Sequence, residues 1–157
     1  MYSREFKVDT TAPSDPFGLK DGDYITTKNM KVTWNASIDN QSDIQYYILR
    51  IQNSSGTEST INVGTVTTYN IVFQDISPQL LLKEEDSGKT VTFSVQAVNY
   101  AGLVTNIIHS NGAIVDSTPP EIVTVTHNKT IEPDRNLTVE LTVVATEDVT
   151  RLVEYEV

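Results

Sequence analysis

Oxygen-bearing side chains are concentrated in short stretches that could bind a cation or exchange protons. Residues 39–43 read Asp-Asn-Gln-Ser-Asp, and hard cations such as calcium prefer oxygen ligands of this kind. The stretch lacks the spacing of an EF-hand, and the same residue types also bond the backbone of ordinary turns. We interpret it as a turn and keep Asp39 and Asp43 as the alternative calcium ligands. Residues 21–23, Asp-Gly-Asp, are likewise interpreted as a turn.

A second acidic stretch, residues 84–86, reads Glu-Glu-Asp and raises the question of acid–base catalysis. Paired catalytic carboxylates need a fixed separation inside a cleft, whereas this run is followed directly by the flexible Ser-Gly of residues 87–88. His109 and His127 lie far apart in the chain, and His127 is expected to begin a turn in the second module. The sequence has no cysteine, no glycine-rich phosphate loop and no G-x-S-x-G motif. The sequence therefore predicts no catalytic residue, no cofactor and no metal.

Charge and hydropathy exclude several classes of partner. The 157 residues include 11 basic and 21 acidic side chains, for a net charge of -10. Such a surface repels nucleic-acid phosphates and anionic lipids. No apolar run approaches the roughly 18 residues of a membrane-spanning helix, and residues 1–8 lack the apolar stretch of a secretory signal. We expect no nucleic-acid partner and no membrane insertion within this chain.

Most of the chain alternates apolar and polar residues with the period of two that is typical of half-buried strands. The sequence predicts an all-β fold, an antiparallel seven-stranded β-sandwich. Residues 80–85 could form a single helical turn, which is too short to change this class. The clearest predicted strands cover residues 30–34, 44–51, 57–63, 69–73, 91–99 and 107–115.

The same alternation predicts which side chains face the core and which face solvent. Trp34 is expected to pack against Tyr47 and Phe93. Tyr46 points outward and Tyr100 lies in a loop, and no further aromatic residue adjoins them on the outer face, so no flat platform for sugars is predicted. The predicted core residues are Val32, Trp34, Tyr47, Leu49, Phe93, Val95 and Ala97.

One phrase occurs twice and divides the chain. Residues 8–13, VDTTAP, return as residues 115–120, VDSTPP, 107 residues later, and the prolines and hydroxyl residues are typical of a linker. We predict that residues 1–12 are the end of a preceding module plus a linker, and that residues 13–115 form the sandwich. Residues 116–120 are a second linker, and residues 121–157 are a partial second module that stops in its third strand. Asp9 and Asp116 are expected to cap turns in the linkers rather than to bind an interdomain cation.

Three motifs and the linker phrase together resemble a fibronectin type III or closely similar immunoglobulin-like module from tandem arrays on prokaryotic surface proteins. The motifs are VTW at residues 32–34, IQYYIL at residues 44–49 and VQAVNYAG at residues 95–102. The family usually has a tyrosine at the start of its sixth strand, where this chain has Val91, which implies that the loop at residues 83–89 is held less firmly. In the second module, Leu141 stands at the tryptophan position and implies a related immunoglobulin-like type.

The resemblance implies a mechanical role rather than catalysis. The leading hypothesis is a non-catalytic extracellular or cell-surface module that acts as a spacer, stalk or adhesion element. Its expected partners are neighbouring modules of the same polypeptide and surface proteins or glycans. Two alternatives are an accessory carbohydrate- or calcium-binding module of a secreted hydrolase and a phage or intracellular structural protein. The glycosylation candidates are the N-x-[ST] asparagines Asn35, Asn40, Asn53, Asn128 and Asn136.

Overall fold

The computed structural model describes residues 7–131 and 137–147. The chain divides into two compact units, Met1–Asp116 and Ser117–Val157. Residues 1–6, the end predicted to belong to a preceding module, and residues 152–157, a predicted strand, lie outside the described residues. No helix in the described part of the chain is long and apolar enough to cross a membrane.

The described part of the first unit consists of strands joined by turns, as the period-two pattern predicts. Three short 3-10 helices lie at Phe73–Asp75, Pro78–Leu80 and Glu84–Asp86. The strands are β1 (Phe17–Lys20), β2 (Tyr24–Ile25), β3 (Asn29–Asn35), β4 (Ile44–Gln52), β5 (Glu58–Asn62), β6 (Thr68–Val72), β7 (Thr90–Asn99), β8 (Ile108–His109) and β9 (Ala113–Val115). The prediction of an all-β fold is confirmed at this level.

These strands form two sheets. The smaller sheet has the order β1-β3-β6, and the larger has the order β2-β9-β7-β4-β5, with β8 also paired to β7. Neighbouring strands are antiparallel except for β2 and β9, which run parallel, so the expectation of a wholly antiparallel sandwich is wrong at this edge. The long pairing of β4 with β7 runs from Ile44 opposite Asn99 to Gln52 opposite Thr92, with one register shift near its start. This pairing brings the end of β7 beside the loop that precedes β4.

The first unit has nine strand segments in its described residues, where seven strands are predicted. The predicted strand at residues 107–115 is broken between β8 and β9, where the Ser110 hydroxyl accepts hydrogen bonds from the backbone N–H groups of Phe93 (3.0 Å) and Gly112 (3.2 Å). Gly112 has φ +87°, and a Cβ there would lie 2.6 Å from Thr90 Cγ2, so the break needs a glycine. The short β1 and β2 were not predicted, because four and two residues show too little alternation.

Both sheets contribute to one hydrophobic core. Trp34 on β3 is 5% exposed and packs edge to face against Tyr47 on β4, with ring centroids 5.5 Å apart and an angle of 65° between the rings. Phe93 on β7 belongs to the same buried cluster. All seven predicted core residues are buried, namely Val32, Trp34, Tyr47, Leu49, Phe93, Val95 and Ala97. The fold of this unit is therefore two sheets packed around a shared apolar layer.

Polar contacts also hold the loops at both ends of this core. The Tyr47 hydroxyl accepts a hydrogen bond from the backbone N–H of Ser37 (2.8 Å), which ties the loop after β3 to β4. The loop at residues 83–89 is bound through Asp86, whose carboxylate accepts from the Lys83 backbone N–H and from Lys89 Nζ, both at 2.9 Å. Val91, where the resemblance places a tyrosine, is buried. Hydrogen bonds to the Asp86 carboxylate thus hold this loop, in a chain that has valine rather than tyrosine at residue 91.

The described part of the second unit is one antiparallel hairpin of β10 (Glu121–Ile131) and β11 (Leu137–Thr146). Its register places Val125 opposite Val143 on one face and Thr126 opposite Thr142 on the other. His127 lies inside β10, so the expectation that it begins a turn is wrong, because the alternation of residues 121–126 continues past it. The exposed large apolar residues of the hairpin are Ile122, Val123, Val125, Val139, Leu141 and Val144.

Candidate functional site

Asp39, retained as an alternative calcium ligand, lies in the loop between β3 and β4 and is 8% exposed. Its Oδ1 accepts hydrogen bonds from the backbone N–H groups of Gln41 (2.9 Å) and Ser42 (2.8 Å), which closes a tight turn. Its Oδ2 accepts from Nδ2 of Asn99 (3.0 Å). The bond from Ser42 and, next, the one from Asn99 hold the pKa of the Asp39 carboxyl below its ordinary value.

Asn99 ends β7 and is completely buried, which requires partners for both ends of its amide. Its Oδ1 accepts from the backbone N–H groups of Ala101 (3.1 Å) and Leu103 (2.8 Å), and this defines which end of the amide is the oxygen. Its Nδ2 donates to Asp39 and also to Oδ2 of Asp9 (2.8 Å). The side chain of Asn99 therefore bridges two carboxylates that would otherwise repel each other.

Asp9 belongs to the repeated linker phrase and binds the loop at residues 39–43. Besides the bond from Asn99, its Oδ2 accepts a short hydrogen bond from the Ser42 hydroxyl. Its Oδ1 caps the linker itself by accepting from the backbone N–H of Thr11 (3.0 Å), as the capping role predicts. The Thr11 carbonyl accepts a longer bond from Asn99 (3.3 Å). We call Asp9, Thr11, Asp39, Ser42 and Asn99 the linker clamp.

A further contact binds the linker to the same loop. Oε1 of Gln41 accepts from the backbone N–H of Thr10 (3.3 Å) and from the Thr11 hydroxyl (3.1 Å). Both partners are exposed, so these bonds compete with water and contribute less than the buried bonds of Asn99. The side chains of the loop thus hold three consecutive residues of the linker.

The remaining sequence candidates take other positions. Asp43 has φ +62°, and it joins the clamp region through its backbone carbonyl, which accepts from the N–H of Tyr100 (3.2 Å). Tyr46 is half-buried and Tyr100 is exposed. His109 lies on β8, in a different unit from His127. In the described ranges, no group of three or more His, Cys, Asp or Glu side chains is arranged to hold a metal ion.

Four of the candidate glycosylation asparagines can be placed. Asn35, Asn40 and Asn128 are exposed, at the end of β3, in the loop after it and on β10. Asn53 is half-buried, and its Oδ1 accepts from the backbone N–H groups of Ser55 (3.1 Å) and Thr57 (2.9 Å). Asn136 lies outside the described residues.

Reasoning from the sequence missed Asn99 as a site residue, although it lies inside the motif at residues 95–102. The available signal was an asparagine that follows a long apolar strand and precedes Gly102, a pattern typical of a turn that needs a side-chain partner. Nothing local connects it to Asp39 or Asp9, which are 60 and 90 residues away in the chain.

Comparison with known proteins gives weak structural similarities and no family match. No family model and no curated protein matches this chain. A crystal structure of β-1,2-glucanase from Parabacteroides distasonis is 18% identical with a TM-score of 0.46, and the match covers 73% of this chain and 14% of that one. The titin module A71 from human cardiac muscle is 15% identical with a TM-score of 0.40, and the match covers 68% of this chain and 90% of that one. The description of the chain as an all-β protein therefore rests on its own strand pairing.

Proposed function

We propose that the chain is a non-catalytic β-sandwich module of the immunoglobulin-like or fibronectin type III kind that spaces and orients its neighbours in an extracellular or cell-surface protein. The observation that carries this proposal is the linker clamp, in which the buried Asn99 fastens the linker residue Asp9 to the end of the sandwich. A spacer needs such a contact, because a free linker of this composition would let adjoining modules rotate. The repeat of the linker phrase at residues 115–120 supports an array of such modules.

The state of the acidic side chains supports a role without catalysis. Hydrogen bonds lower the pKa of Asp39. The pKa of Asp86 is lowered mainly by the bond from Lys89 and next by the bond from the Lys83 backbone. Both carboxylates are therefore ionised at neutral pH, whereas a general acid needs a raised pKa. The hydrogen bonds of these two carboxylates hold loops in place.

The hairpin of the second unit supports the proposed module boundaries, residues 13–115, 116–120 and 121–157. One face is the richer in large apolar residues, with Val125, Val139, Leu141 and Val143 beside His127 and Lys129, and the other carries Thr124, Thr126 and Thr142 beside Val144. An amphipathic sheet buries its apolar face against another layer of secondary structure. We assign β10 and β11 to neighbouring strands of a second sandwich.

Backbone relaxation of the linker tests the spacer proposal. In ¹⁵N NMR of the full chain, residues 9–11 should have order parameters near 0.85, the value of rigid backbone, rather than below about 0.6. Asp9→Ala should loosen the linker, while the control Asp23→Ala, a carboxylate outside the clamp, should leave it unchanged. Flexible residues 9–11 in the unaltered chain would refute the proposal.

A second candidate function, binding of a neutral sugar, is favoured by a groove of about 450 Å³ between β5 and β6, the last strands of the two sheets. The groove is lined by Tyr69 and by the polar residues Thr60, Asn70 and Asp75, among others. The volume lies within the range of small-molecule sites, about 300 to 1,000 Å³. Titration with maltotriose should move the amide signals of residues 59–61 and 69–76, and unchanged signals at 20 mM would discard this candidate.

A further inference from the structure

The turn between β1 and β2 contains a buried aspartate, one of whose carboxylate oxygens has no hydrogen-bond partner in the described structure. Asp21 is 3% exposed, and its Oδ2 has no hydrogen bond within the described structure. A buried polar group without a partner is costly, and a buried charge is more so. Such a group in a folded protein calls for a bound water or ion.

A small cavity of about 250 Å³ adjoins this carboxylate. Asp23 and Asn111 line it together with Asp21, so two acidic residues and one amide residue meet at one space. Asn111 comes from the break between β8 and β9, and the backbone bond from Ile114 N–H to the Asp23 carbonyl (2.9 Å) joins the two segments. The lining residues thus come from two parts of the chain that the sheet holds together.

The geometry points to a calcium site formed by Asp21, Asp23 and Asn111, in addition to the spacer function. Calcium takes six to eight oxygen ligands in flexible geometry and accepts carboxylates, amide oxygens and water together. The cavity has room for water molecules beside the ion, since each water occupies about 30 Å³ in the liquid. The chain's net charge of -10 also attracts a divalent cation.

Lys20 also lines the cavity and provides the rival explanation for the buried charge. It is exposed, and no ion pair joins it to Asp21 or Asp23 in the described structure. If the Lys20 ammonium neutralised the charge of Asp21 in solution, calcium would gain little by binding there.

The test is a calcium titration of the full chain, followed by amide NMR and thermal unfolding. Calcium should move the signals of residues 19–23 and 111, and 10 mM calcium should raise Tm by several degrees through its preference for the folded state. Asp21→Asn should weaken binding at least tenfold, and without calcium it should raise Tm, because it removes an unpartnered buried charge.

The matched control is Asp43→Asn, which removes the same charge from an exposed residue. Asparagine tolerates the positive φ of this position. It should respond to calcium as the unaltered chain does. Unchanged signals at 10 mM calcium, a response at residues 39–43 instead, or an equal response of Asp21→Asn would overturn the assignment. If Lys20→Met is less stable than the unaltered chain and shows no calcium response, the calcium assignment is overturned in favour of an ion pair between Lys20 and Asp21.

Discussion

Replacing Asn99 by aspartate tests the linker clamp with almost no change in volume. The retained Oδ1 still accepts from the backbone N–H groups of Ala101 and Leu103. The Nδ2 donor becomes a carboxylate oxygen that faces Oδ2 of Asp9 and Oδ2 of Asp39, at the 2.8 Å and 3.0 Å now spanned by hydrogen bonds. Three negative charges then meet where a neutral amide now bridges two.

Two energies limit the loss of stability in Asn99→Asp: the repulsion between the carboxylates and the cost of protonating one of them. At an effective dielectric constant of about 20, each new pair of charges repels by roughly 5 to 6 kcal/mol. A carboxyl group can escape this repulsion by taking up a proton, which costs about 4 kcal/mol at pH 7 and about 1.5 kcal/mol at pH 5. We therefore expect Asn99→Asp to lower the free energy of unfolding by about 3 to 4 kcal/mol at pH 7 and by about 1.5 kcal/mol at pH 5.

Asn99→Ala is the comparison variant, because it removes the Nδ2 hydrogen bonds without adding charge, together with the two bonds that Oδ1 accepts. It should cost about 2 to 4 kcal/mol, with little difference between the two pH values. Urea unfolding followed by Trp34 fluorescence at pH 7 and pH 5 measures all three proteins. A cost of Asn99→Asp below about 1 kcal/mol at pH 7, or an equal cost at both pH values, would refute the bridging role of Asn99.

The remaining predictions concern the core, acid stability and the linker. Trp34→Ala should cost about 3 to 5 kcal/mol in urea unfolding. Trp34→Phe should cost less because Nε1 of Trp34 is buried without a partner in the described structure, and equal costs would contradict this. Because the pKa of Asp39 and of Asp86 is lowered from 3.8, their stabilisation is present above that value and is lost as the pH falls through the lower folded pKa. Tm should therefore hold between pH 7 and 5 and fall below about pH 4, less steeply in Asp39→Asn; an equal slope would contradict the assignment. Asp9→Ala should make the backbone near residue 11 more sensitive to proteolysis than Asp23→Ala does, and equal cleavage rates would contradict the clamp.

Strand positions could be predicted from the sequence because the alternation of apolar and polar residues depends only on neighbouring residues. Residues 44–51 were predicted as a strand with Tyr47 and Leu49 inward, and β4 covers Ile44–Gln52 with both side chains buried. The break between β8 and β9 was not accessible, because it depends on the close approach of Gly112 to Thr90 across the sheet. Short strands such as β2 are defined by their neighbours rather than by their own residues.

The sequence by itself determined the all-β class, the alternating core around Trp34 and the repeated linker phrase, since each follows from the order of neighbouring residues. Only the tertiary structure decided what the polar residues do. Asp9, Asp39 and Asn99 meet because the pairing of β4 with β7 sets the end of one strand beside the loop that precedes the other. A register shifted by one residue would keep every local pattern and would turn Asn99 to the opposite face of the sheet, away from both carboxylates.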